Sequence, residues 1–109
     1  MENNKLVRDN IPELIALDGK RVTFHAITSN SDFKMALKNK LVEEAMEFSN
    51  AMSNKDILEE LADVLEVIDT IQRVFDIKPS ALSDLAHNKR IKRGGFDKGY
   101  VIDCVEGDS

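Results

Sequence analysis

Four carboxylates stand out by type and spacing: Glu44 with Glu47, and Glu60 with Asp63, each pair three residues apart. On an α-helix that spacing puts both side chains on one face, with Cβ atoms about 5–6 Å apart. The pairs are also symmetric about one point, because Glu47 and Glu60 lie equally far from the Ser53–Asn54 junction, and so do Glu44 and Asp63. If the chain turns back there as a helical hairpin, the four acids meet at one level. Antiparallel helices pack with axes roughly 8–10 Å apart, so acids of both legs reach the same small cluster of cations. Without cations, four converging negative charges would repel one another.

The second leg makes the stronger case. In angle, Glu60 falls between Val67 and Ile71 at the edge of an apolar sector, and Asp63 falls beside Val67 and Val74. A carboxylate placed there is costly unless it is paired or coordinates a metal. Glu59 and Glu66 lie on the opposite side and fit a solvated face, the usual setting of glutamates on helices. Glu43 points away from the apolar stripe of the first leg.

Two basic groups complete the chemistry-bearing residues. Lys89, Arg90, Lys92 and Arg93 precede Gly94–Gly95, and Lys89 and Arg93 share a helix face at four-residue spacing. Such a cluster serves equally as a C-terminal cap favoured by the helix dipole or as a holder of a polyphosphate beside a divalent metal. Near the start, Lys5, Arg8 and Asp9 are either surface charges or ligand contacts. His25 has no second histidine or close acid at metal-ligand spacing, which favours a structural or exposed role.

The elements that must position these residues follow from periodicity. Pro12 fits the first turn of a short helix within residues 5–18, and Gly19 stops it. Val22, Phe24 and Ala26 alternate with Thr23, His25 and Ile27, a weak strand pattern. Ser29 with Asp32 opens a helix over about 31–52, whose stripe runs Leu37, Leu41, Ala45, Phe48, Met52. Ser53 with Asp56 repeats the cap and opens a second helix over about 54–76, with Ile57, Leu58, Leu61, Val64, Leu65, Ile68, Ile71 and Phe75 on its apolar face. Pro79 begins a third long helix, about 79–92. The stretch YVIDCV has the look of a short strand that would pair with 21–27. The expected fold is all-α, a helical hairpin core over about 31–76 plus a further helix, with short peripheral β segments.

Length and composition bound the class. A chain of 109 residues fits a single domain, 1–109, that gains from oligomerisation. No stretch approaches the roughly 20 apolar residues of a membrane span, and the opening residues lack the apolar run of a signal peptide. The single cysteine, Cys104, excludes an intrachain disulfide. It lies among apolar residues and is expected to pack, in a cytoplasmic protein. The net charge is −5, and without the four hairpin acids the chain is nearly balanced, which argues against a nucleic-acid-binding surface. A carboxylate-bridged di-iron bundle needs Glu-x-x-His pairs, and neither His25 nor His87 has a glutamate three residues before it.

Residues 43–63 resemble the signature of the MazG-like all-α nucleoside triphosphate pyrophosphohydrolases. Two adjacent glutamates, a third three residues later and a downstream glutamate three before an aspartate are matched by Glu43, Glu44, Glu47, Glu60 and Asp63. The segments KLVRDNIPELI and KRIKRGGF are similar to the phosphoribosyl-ATP pyrophosphohydrolase-like branch. The resemblance implies helices of neighbouring subunits completing a four-helix core in a homodimer or homotetramer. It implies Mg2+-dependent cleavage of a nucleotide between the α and β phosphates, with Mn2+ as a substitute. Glu44, Glu47, Glu60 and Asp63 would be metal ligands, and Glu43 or Glu47 would activate water. Lys89 and Arg93, with Lys5 and Arg8, would hold the phosphates. Where many members carry an asparagine and a phenylalanine near that lysine, this chain has His87 and Arg90. The expected role is removal of unwanted nucleotides. The alternatives are the histidine-pathway step on phosphoribosyl-ATP and a non-catalytic helical oligomerisation module.

Overall fold

The computed structural model describes residues 5–107 and is all-helical, with four helices: α1 Ile11–Leu17, α2 Asn30–Asn50, α3 Asn54–Val74 and α4 Pro79–Arg93. Each boundary has a local cause. Pro12 sits in the first turn of α1, where its missing N–H costs nothing. Gly19 follows with φ +82°, a left-handed conformation that a side chain disfavours. The Ser29 side chain accepts from the Asp32 backbone N–H at 3.3 Å and Ser53 from that of Asp56 at 3.1 Å, so both long helices are capped by the residues at which they start.

The helix α3 ends two residues earlier than its apolar pattern suggests. Asp76 adopts φ 54°, and the Ile77 N–H donates to the Gln72 carbonyl at 2.8 Å. This is a Schellman-type stop with aspartate in the position glycine usually takes.

One compact unit of the chain ends at Ile77 and a second begins at Lys78. The first is built on the antiparallel packing of α2 against α3. Leu37 of α2, 2 % exposed, and Val67 of α3, 8 % exposed, are its fully enclosed apolar side chains among the described residues. At the open end of the hairpin, the ammonium groups of Lys34 and Lys38 lie 5.2 and 5.9 Å from the centre of the Phe75 ring, within cation–π range. The expected stripes are only partly covered. Val64, Ile68 and Ile71 are half-buried, whereas Leu58, Leu61 and Leu65 of α3 and Phe48 and Met52 at the end of the α2 stripe remain exposed.

The second unit consists of α4 and the segment after it. Gly94, φ +82°, ends α4, and Arg90 approaches Asp97 at 3.6 Å. No helix among the described residues is long and apolar enough to cross a membrane.

The expected β segments do not form: the described residues contain no strand. A lone extended segment has no partner to satisfy its ladder, and among the described residues of the first unit, 21–28 form no backbone hydrogen bond with another segment. In the second unit, Val101, Ile102 and Val105 are exposed. Cys104, expected to pack, is likewise an exposed free thiol.

Candidate metal centre

The hairpin brings three of the four spaced acids together. Carboxylate oxygens of Glu44, Glu60 and Asp63 all lie within 4.8 Å of one another. Glu44 comes from α2, while Glu60 and Asp63 are one turn apart on α3. The Glu44 side chain is only 12 % exposed, and Glu60 and Asp63 are half-buried. Burial, and then the charges of Asp63, Glu44, Glu47 and Asp56, raise the Glu60 carboxyl above its ordinary range. A hard divalent cation suits an all-oxygen donor set of this kind, and its charge would offset the repulsion that Glu60 meets there.

Glu47 stands apart from that triad. It is exposed and has no ion pair or side-chain hydrogen bond among the described residues, yet its charge reaches Glu60. Of the four acids expected as ligands, three therefore converge, and Glu47, expected also as a candidate base, is a carboxylate outside their cluster.

Three cations flank the acids. Arg8 donates to Asp63 Oδ1 at 2.6 Å, joining the segment before α1 to α3 across 55 positions of sequence. Lys5 lies 3.3 Å from Glu43 Oε1. Lys40 bridges adjacent acids, at 3.1 Å from Glu43 and 3.2 Å from Glu44. Burial pushes the Glu43 carboxyl up, but hydrogen bonds and charge from Lys40 and Lys5 outweigh it and hold the group below its ordinary value.

Lys5 and Arg8, two of the residues singled out in the sequence, thus stand at the acids. Lys40 was not singled out in the sequence, although its spacing of three and four residues before Glu43 and Glu44 places it on their helix face. Lys89 and Arg93 belong to the second unit, at exposed positions on α4. His25 is exposed and, with Thr23 and Phe24, lines a cleft between the segment before α1 and the start of α2.

No protein-family model, curated protein or solved structure matches this chain.

Proposed function

We propose that the chain is a magnesium-dependent nucleotide pyrophosphohydrolase that cleaves a nucleoside triphosphate between the α and β phosphates, giving a monophosphate and pyrophosphate. The observation that carries this reading is the convergence of Glu44, Glu60 and Asp63 from two helices within 4.8 Å. These three would hold Mg2+, with Mn2+ as a substitute, since their donor atoms are all carboxylate oxygens. When bound, the ion supplies charge neutralisation and polarisation at the phosphates.

The protein's own groups divide the remaining work. Glu47 takes the proton of the attacking water, because its carboxylate is unpaired beside the triad. Glu43, held ionised between two lysines, is a poorer base and instead fixes Lys5 and Lys40. Water oxygen bonds to the α-phosphorus, the bond from that phosphorus to the bridging oxygen breaks, and the electron pair leaves with pyrophosphate. Lys5 and Arg8 offset the charge that builds on the leaving group. The exposed apolar stripe of Leu58, Leu61 and Leu65 supports association of copies, in line with a homodimer or homotetramer.

The test is a magnesium-dependent pyrophosphate-release screen over canonical and modified nucleoside triphosphates, with phosphoribosyl-ATP alongside. Glu60→Gln and Asp63→Asn should each abolish release. Unaltered turnover in either variant would defeat the metal assignment, and exclusive turnover of phosphoribosyl-ATP would move the substrate to that compound. An absence of both turnover and thermal stabilisation by magnesium would leave a helical association module as the better reading.

A further inference from the structure

The cleft beside the acids has the size and lining of a small-molecule site. Its volume is about 670 Å³, and its walls come from residues 5–9, the non-helical residues 23–27 and the first turns of α2. Ligand pockets typically run from about 300 to 1,000 Å³. Phe24, 67 % exposed, and Phe33 supply aromatic surface. Thr23 and His25 add a hydroxyl and an imidazole on the same wall. Among the described residues, the backbone of 21–28 is joined to no other segment by backbone hydrogen bonds, so its N–H and C=O groups are available to a ligand edge.

Two of the lining residues, Lys5 and Arg8, are also the ones that contact Glu43 and Asp63. The cleft and the acid cluster therefore share two cationic side chains. A ligand matching both parts is anionic at one end and carries a planar, polar-edged ring at the other.

We infer that this cleft receives the base and sugar of the nucleotide whose phosphates lie at Glu44, Glu60 and Asp63. The inference rests on the hydrolase reading for the position of the phosphates, and it assigns base recognition to the non-helical segment 23–27. Phe24 provides a stacking face, which is tolerant of base identity. Thr23, His25 and the open backbone read the ring's polar edge.

The experiment titrates the full, isotopically labelled chain with α,β-methylene nucleoside triphosphates of the four bases, and separately with inorganic tripolyphosphate, both with magnesium. The nucleotides should shift the resonances of Thr23, Phe24 and Phe33, and tripolyphosphate should leave them in place. Phe24→Ala should weaken nucleotide binding by about fivefold or more without changing tripolyphosphate affinity, and Phe24→Tyr should restore most of the loss. Since Phe24 is largely exposed, the alanine variant should melt like the parent.

The inference is overturned if no nucleotide binds, if the shifts lie elsewhere, or if Phe24→Ala weakens both ligands equally or neither. Pyrophosphate release with a KM untouched by Phe24→Ala would remove this cleft and leave the hydrolase reading standing. Nucleotide binding in the cleft without any turnover would do the reverse.

Discussion

Arg8 and the proposed divalent cation would compete for the Asp63 carboxylate. Arg8 donates to Asp63 at 2.6 Å, with the two side chains 55 % and 38 % exposed. An ion pair this open to solvent is worth about 0.2–1 kcal/mol, because water screens the attraction and ordering an arginine side chain costs entropy. That one figure sets two outcomes. Replacing the arginine, Arg8→Met, should lower folding stability by no more than about 1 kcal/mol. It should also tighten magnesium binding by about 1.4- to 5-fold, since the ion no longer has to displace the guanidinium before engaging Asp63. Isothermal titration of parent and variant with magnesium at fixed ionic strength measures the second effect, and a denaturant melt measures the first. Weaker magnesium binding in Arg8→Met would refute the reasoning: it would mean that the arginine orients Asp63 for the ion. If turnover falls in the same variant while magnesium binding tightens, Arg8 has a second duty on the polyphosphate.

Three further outcomes follow from the first unit. Leu37→Ala removes the most enclosed side chain of the hairpin, 2 % exposed, and should cost about 2–5 kcal/mol in a denaturant titration; a loss below about 1 kcal/mol would mean that the hairpin is held elsewhere. Asp76→Gly relieves a left-handed aspartate at φ 54° and should raise stability by up to about 1 kcal/mol, read as a higher melting temperature, whereas a lower one would show that the aspartate side chain earns its place. The Glu43 carboxyl is held below its usual value of 4.5, so its contribution is present above that pH and is lost as pH falls through the lowered folded value. The stability gap between parent and Glu43→Gln should accordingly be constant near neutrality and close in acid, and a gap that widened on acidification would contradict the Lys5 and Lys40 pairing.

Much of this architecture is written in short-range patterns. Helix limits depend on residues a few positions apart: Ser29 with Asp32, Ser53 with Asp56, Pro12, and Gly19. These interactions form within one turn, so the sequence alone locates all four helices to within a few residues. The mirror spacing of Glu44 and Asp63 about the Ser53 turn was likewise readable, because helical rise and periodicity convert residue number into position along two antiparallel legs.

Other features depend on long-range approach and carry no local signal. That Arg8 lands on Asp63, that Lys5 meets Glu43, and that Glu47 stays outside the triad follow from how side chains turn as α2 meets α3 and the leading segment crosses them. The alternation in 22–27 marked a strand by period alone. A strand also requires a neighbouring ladder, and among the described residues of its unit this segment has none; its residues line a cleft instead. Sequence determined which residues are able to bind a cation and on which helices they ride. Tertiary packing decided which of those acids converge, which lysines and arginine stand beside them, and where a cavity opens, because those outcomes depend on distances between parts of the chain that no periodicity links.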